Sequence, residues 1–249
     1  MTVVTTSWDD GHPLDLRVAE ILDGYGFRGT FYVPRRNREG RSVVSRRELA
    51  MLGARFEVGG HSFDHVRLTE LSTSEASRQI HAIKAALEDE LGRAIAGFCY
   101  PGGAHDPSIR ELVRSAGFRY ARTIENLWLA GATDHFQMPT TLQLYPHSRM
   151  TYVKNLVRSG HFLARARGAE VVLRGRPLGE VLRALLDRAL ATNGVFHLWG
   201  HSWELEEHGL WGELEAFLAY ARDRVPLAQR VDNAALIAAA SADSQRSTV

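Results

Sequence analysis

Cysteine is nearly absent from this 249-residue chain. Its one example, Cys99, rules out an internal disulfide framework and a cysteine-only zinc site. Long apolar runs are absent as well: none approaches the roughly 18–20 residues needed to cross a bilayer, so no membrane span is expected. The N-terminus lacks the basic start and apolar stretch of a signal peptide, and Asp9 comes too early for one, which gives a cytoplasmic location as the expectation. Neither sign of charge dominates, with 30 Lys and Arg against 29 Asp and Glu, so nothing calls for nucleic acid as a partner. Internal repeats, low-complexity segments and interdomain linkers are also missing. What remains is 45% hydrophobic and fits one large domain with a substantial core.

Runs rich in β-branched and aromatic residues recur at 3–8, 29–33, 55–59, 97–100, 119–123, 140–145 and 195–199. Helical patterns separate most of them. Leu16, Ala19, Ile21 and Leu22 form the first, opened by Asp15 and stopped near Gly24 and Gly26. Ser72 with Glu75 can begin a long helix carrying Ile80, Ile83, Leu87 and Leu91 at helical spacing. Asp106-Pro107 reads as a cap followed by a proline in the first turn. Segments 178–190 and 214–221 supply two more amphipathic helices. Such alternation predicts right-handed crossovers and a mainly parallel sheet, open or closed as a barrel, with the site at the C-terminal strand ends. Residues 1–240 are expected to form one catalytic barrel and the small, polar residues 241–249 a flexible tail.

Chemistry-bearing residues gather at those predicted strand ends. Asp9 and Asp10 close the first run, and His61-Ser62-Phe63-Asp64-His65 follows the third. A carboxylate and two imidazoles can converge on one divalent metal, leaving the other carboxylate as a base: the chemistry of metal-assisted hydrolysis. Each piece has a plainer reading, since an Asp pair often caps a turn and eleven histidines give roughly 0.4 His pairs four apart by chance. The joint, ordered pattern carries the argument. It continues with Tyr100-Pro101-Gly102-Gly103 after the fourth run and Trp199-Gly200-His201 after the last.

With these motifs in order, the chain resembles the polysaccharide deacetylase family over roughly residues 3 to 203. Thr6-Ser7-Trp8-Asp9-Asp10-Gly11-His12 is similar to the family's first motif, TFDDGP; the stretch from Glu57 to His65 is similar to the second; the Tyr100 and Trp199 segments resemble the third and fifth. The resemblance implies an α/β fold, a single-domain distorted (β/α) barrel. It implies Asp10, His61 and His65 as metal ligands, with zinc as the expected ion and cobalt, nickel or manganese as possible substitutes. Asp9 would be the base that deprotonates the attacking water, and His201 the acid that protonates the departing amine. The Gly102 amide would hold the oxyanion, with Tyr100, Trp199 and Trp203 beside the substrate. The implied reaction removes N-acetyl groups from an amino-sugar-containing glycan or glycan precursor, an N-acetylated saccharide being the partner.

Departures from the pattern raise specific questions. The family carries Arg two residues before the motif-three proline, where this chain has Cys99; Arg122, closing the next run, is the expected support for Asp9. His12 stands where proline is usual, and a structural role at the first helix is expected. The fourth motif has no clear counterpart, Asp134-His135-Phe136-Gln137 lying in the right stretch. Trp211 reads as structural, while His105 and His147 follow strand ends and could line the cleft. Lys154, Arg158, Arg165, Arg167, Arg174 and Arg176 form a basic stretch that reads either as a solvated helical face or as a site for the phosphate of a lipid- or nucleotide-linked sugar. Two other functions stay open: hydrolysis of a non-sugar linear or cyclic amide, and carbohydrate binding without catalysis. Substrate, acetyl position, physiological metal and oligomeric state are not encoded in any motif.

Overall fold

The β-branched residues Val3 to Thr6 favour a strand over 3–8, buried on both faces, and in a computed structural model describing residues 1–159 and 161–246 it is an interior strand of the sheet, β1 (Val3–Trp8). The sheet is parallel throughout. It comprises β2 (Thr30–Val33), β3 (Glu57–Gly60), β4 (Gly97–Cys99), β5 (Tyr120–Arg122), β6 (Leu142–Gln143), β7 (Val195–Gly200) and a short β8 (Arg230–Val231). Strand order is β5-β4-β3-β2-β1-β7-β6, with β8 paired to the start of β1. The gap between the terminal strands is bridged by one residue: Met138 pairs in parallel with Arg122, its N–H donating to Ala121 O and its carbonyl accepting from Thr123 N, each at 2.9 Å. The sheet therefore curls into a distorted, barely closed barrel.

Helices pack outside it: α1 (Asp15–Gly24), α2 (Arg46–Gly53), α3 (Thr73–Leu91), α4 (Pro107–Ser115), α5 (Arg149–Ser159), α6 (Phe162–Leu173), α7 (Leu178–Ala191), α8 (Ser202–Glu207), α9 (Trp211–Arg222) and α10 (Asn233–Arg246). Predicted caps form as read. Ser72 Oγ accepts from Glu75 N ahead of α3, and Asp106 from Ile109 N ahead of α4. Helix α2 and strand β8 were not foreseen. Residues 241–246, expected to begin a tail, continue α10, because the alanine-rich turns from Ala234 onward favour helix; 247–249 lie outside the described residues.

Strand alternation sorts the buried residues into two groups. Val4, Trp8, Phe31, Val33, Val58, Phe98, Phe196 and Leu198 join helix residues such as Leu22, Ile80, Ile83 and Leu214 in the main core. Tyr32, Cys99, Tyr120 and Met138 form a separate cluster with Leu236 and Ile237 of α10. Polar groups accompany this second cluster: Thr5 Oγ1 donates to Asn233 Oδ1 (2.8 Å), Asn233 Nδ2 to the Tyr32 hydroxyl (2.9 Å), and Ser7 Oγ meets His197 Nε2 at 2.8 Å. Helix α10 thus closes the barrel from its N-terminal end. The opposite end holds the expected site.

Candidate active site

The expected site residues gather past the C-terminal ends of the strands, His65 five residues beyond β3. Asp9 and Asp10 follow β1, His61 follows β3, and His201 follows β7 as the residue capping α8. The chain turns sharply to bring them together. Of the non-glycine residues with positive φ among those described, Asp10 (76°), Ser62 (53°) and His65 (53°) belong to this site, a concentration of backbone strain of the kind found where function dictates geometry. Gly11 continues the first turn at φ 59°, and a Cβ there would lie 2.8 Å from Val33 Cγ1, so glycine is required.

Asp10 is the focus. Its Oδ1 is 2.9 Å from His65 Nε2 and 3.6 Å from His61 Nε2, yet this buried oxygen accepts no aligned hydrogen bond. His61 Nδ1 lies 2.9 Å from Cys99 O; donation to that carbonyl fixes the tautomer whose Nε2 lone pair faces Asp10. Trp203 Nε1 donates to the other Asp10 oxygen at 2.9 Å. Burial would raise the Asp10 pKa, but the His61 and His65 contacts and the charge of His201 prevail and hold it far below the usual carboxylate range. One oxygen and two imidazole nitrogens around an unsatisfied, anionic, buried atom fit a divalent cation of the zinc type. Asp9, His61 and Cys99 also lie within ligand distance of one another. That set fits less well: burial, with the neighbouring Asp9 charge, pushes the Cys99 thiol well up and keeps it protonated, and Asp9 is already engaged.

Asp9 is engaged by Arg122. The guanidinium Nη2 bonds Asp9 Oδ1, both side chains are buried, and Cys99 Sγ approaches Asp9 Oδ2 at 3.7 Å. Arg122 lies over the Tyr32 ring (5.2 Å) and the Trp199 ring (4.9 Å), and its pKa is raised, burial being outweighed by Asp9. Across the cleft, His201 Nδ1 meets Glu204 Oε2 at 2.7 Å, and Gln143 Nε2 donates to that same oxygen at 2.9 Å. His201 Nε2 is left pointing toward Asp10 Oδ2, 3.9 Å away. Burial opposes a charged His201 ring, but the Glu204 bond and the Asp10 charge win and raise its pKa to about 9.

These groups open onto a cleft of about 630 Å³, a size suited to one or two sugar rings, lined by Asp9, Asp10, His61, His65, Gly102, Trp199, Trp203 and His201 among others. Gly102 has φ 60°, and Arg67 Nε lies 3.0 Å from where a Cβ would be. Tyr100 is placed elsewhere. Its ring is buried against Phe98 and His105, and its hydroxyl donates to Phe136 O at 3.1 Å, because the strand pleat turns it behind the cleft wall and into the core. His12 Nδ1 accepts the Leu14 N–H (3.3 Å) at the approach to α1. Trp211 is buried with Nε1 on Glu206. Asp134 is taken up by Arg110 and by Phe136 N. His105 lines an adjoining cavity and His147, bonded to Gln143 at 2.8 Å, a separate one. Arg165 leaves the basic stretch altogether: it is buried, with Nε on Asn126 O (2.7 Å). The Arg158 side chain lies outside what the structure describes. Glu204 and Gln143 were not foreseen, although a Glu three residues after a strand-end His, at a helix start, was the available signal.

No curated protein matches the chain. Solved structures do: a protein assigned as a polysaccharide deacetylase from Mycobacterium smegmatis (TM-score 0.62, 17% identity, 90% of this chain and 85% of that one); the chitin deacetylase of the fungal pathogen Colletotrichum lindemuthianum (0.57, 17%, 87% and 80%); and BA3943 of Bacillus anthracis, a CE4 family pseudoenzyme (0.53, 16%, 90% and 61%). The chain spans less than two thirds of the length of several matched structures. At such identities these likenesses establish the shared fold. No helix among the described residues is long and apolar enough to cross a membrane. The polysaccharide deacetylase family model matches residues 2–121, the stretch that supplies Asp9, Asp10, His61, His65 and Gly102 and stops just short of Arg122. Residues 2–121 thus match the polysaccharide deacetylase family model, and the fold is the one seen in the solved deacetylase structures.

Proposed function

We propose that this protein is a metal-dependent hydrolase that removes N-acetyl groups from an amino-sugar-containing glycan or glycan precursor. The observation that carries the reading is Asp10 Oδ1: buried, flanked by two imidazoles, accepting no hydrogen bond, and next to a second carboxylate held by arginine. A divalent ion held by Asp10, His61 and His65, zinc by its donor set, would supply Lewis acidity toward the amide carbonyl and acidify water.

The chain's own residues divide the remaining work. Arg122 fixes Asp9 in the cleft wall, where its carboxylate accepts a proton from the attacking water. Glu204 fixes the His201 tautomer, so that Nε2 faces the substrate nitrogen and delivers the proton with which that nitrogen departs as an amine. An amide nitrogen expelled as an anion would be a far poorer leaving group. Gly102 lines the cleft, and its backbone amide is the group assigned to the oxyanion; Trp199 and Trp203 line it as well, with Arg122 over the Trp199 ring and with His201 and Arg41 against the Trp203 ring, so they shape the cleft wall.

Acetate release from N-acetylglucosamine oligomers, with and without chelator, tests the reading. Wild type is expected to release acetate in a chelator-sensitive manner. Asp9→Asn should lose roughly 10²–10⁴ in turnover with its metal content intact, whereas His61→Ala should lose both. Full activity in Asp9→Asn overturns the mechanism. Metal-replete protein that is inert on these sugars but cleaves linear or cyclic amides moves the substrate class, and inertness toward both points to a binding barrel of the pseudoenzyme kind.

A further inference from the structure

Between β6 and β7 the chain inserts a helical hairpin, α5 and α6, before the crossover helix α7. Helix α5 has two apolar faces. Tyr152 and Leu156 are buried against the barrel, while Met150, Val153 and Val157, at spacings of three and four, form a second stripe that nothing among the described residues covers. The stripe runs to the hairpin apex, where Phe162 is exposed and Leu163 is 95% exposed. An apolar surface this concentrated marks an interaction site more often than chance. Charge in the same segment is one-sided: seven Lys and Arg against one acidic residue, Glu170, between positions 149 and 176, in a chain whose total charge nearly cancels. Arg149, Lys154, Arg167 and Arg176 are exposed and have no ion-pair partner among the described residues. The inner side of α5 also touches the site. Asn155 lines a cavity of about 400 Å³ whose Arg67, Gly102 and Ile124 are shared with the catalytic cleft.

We propose that the α5–α6 hairpin docks the protein on an anionic lipid surface, its apolar apex entering the headgroup boundary and its exposed arginines and Lys154 meeting lipid phosphates, with the cleft mouth held close to that surface. Projecting apolar side chains on a segment that also carries unpaired cations along its length are the physical signature of interfacial binding, since each contribution is modest and the two add. A second copy of the chain suits the face less well, because pairing would bring two strongly basic surfaces together. The inference rests on the hairpin alone and does not depend on the hydrolase reading.

Co-sedimentation of the full chain with phosphatidylcholine vesicles, and with vesicles that also contain phosphatidylglycerol, tests it. Wild type is expected to bind the anionic vesicles, to bind them less as salt rises, and to bind phosphatidylcholine alone much more weakly. Phe162→Ser/Leu163→Ser and Lys154→Glu/Arg167→Glu should each weaken anionic binding about tenfold or more, with thermal melts matching wild type because the altered side chains are exposed. Absence of binding by wild type, or binding unchanged in both variants, overturns the proposal. So does a concentration-dependent dimer dispersed by Leu163→Ser, which would assign the face to a second copy.

Discussion

Asp9 and Asp10 are neighbours in the chain with opposite surroundings, and that difference is the basis of the separate roles proposed for them. Asp10, at φ 76°, turns into two imidazoles, while Asp9 turns to Arg122. The register explains how Arg122 can stand in for an arginine on the preceding strand: Cys99 of β4 pairs directly with Arg122 of β5, so the guanidinium arrives from the next strand at the same height. A buried pair of this kind is costly to break from one side. In chelated protein, Arg122→Met is expected to lose on the order of 3–5 kcal/mol in urea unfolding, because Asp9 is left charged and unpaired. Asp9→Asn/Arg122→Met should recover most of that loss while remaining inactive. A single-variant cost below about 1 kcal/mol would show that the pair does not hold the carboxylate. Arg122 was legible in the sequence because a strand-end arginine and a missing one are both visible there. The burial of Tyr100 was not, since the strand pleat and the chain curling through 134–138 decide which wall it enters.

At the level of elements, α8 does more than its six residues suggest. It begins directly after His201, and the first turn of a helix brings residues i and i+3 together. Glu204 consequently meets the His201 ring, while Trp203, stacked on that ring with centroids 5.1 Å apart, bonds Asp10. Glu204→Gln removes the charge that favours the protonated ring and keeps an acceptor of similar shape. A cation on Asp10 would offset part of the remaining negative charge, which leaves Glu204 as the main support of the acid form. Activity that needs protonated His201 falls as pH rises past its pKa, which the Glu204 bond and the Asp10 charge raise to about 9 before any cation on Asp10 is counted, so the alkaline limb of the pH–rate profile should move to lower pH in the variant. Amide turnover should drop roughly 10- to 100-fold with KM little changed, while an acetate ester of a phenol, whose leaving group needs no proton, should be hydrolysed nearly as before. Equal losses on both substrates would reduce Glu204 to a structural role. Helix α2 shows a missed but readable signal: Ser45 and Glu48 form a reciprocal capping box, with Ser45 N donating to Glu48 Oε2 at 2.7 Å. Strand β8 had none, being two residues whose pairing depends on where α9 delivers the chain.

Over the whole molecule, the barrel interior carries polar groups from one end to the other. Glu57 sits near the end closed by α10, accepting from the Tyr120 hydroxyl (2.7 Å), Thr30 Oγ1 (2.6 Å) and Ala234 N (3.0 Å); Tyr32 in turn donates to Tyr120 and lies beneath Arg122. Sequence periodicity could mark these strands as buried but could not say that one buried face would be polar, because that depends on the strands curling round on themselves. Burial raises the Glu57 pKa from 4.5 to about 7, its hydrogen bonds offsetting only part of the effect. The sign follows from linkage. Between pH 4.5 and about 7 the unfolded chain releases this proton while the folded chain keeps it, so the stability that Glu57 contributes is complete below 4.5, declines as pH rises to 7, and is constant above. Glu57→Gln mimics the neutral acid and cannot ionise. Its stability should match wild type near pH 4.5 and exceed it increasingly up to pH 8, by on the order of 3 kcal/mol, as urea midpoints measured across that range would record. Parallel pH profiles for the two proteins would mean that Glu57 is already ionised in the folded barrel, and that the three donors around it outweigh its burial.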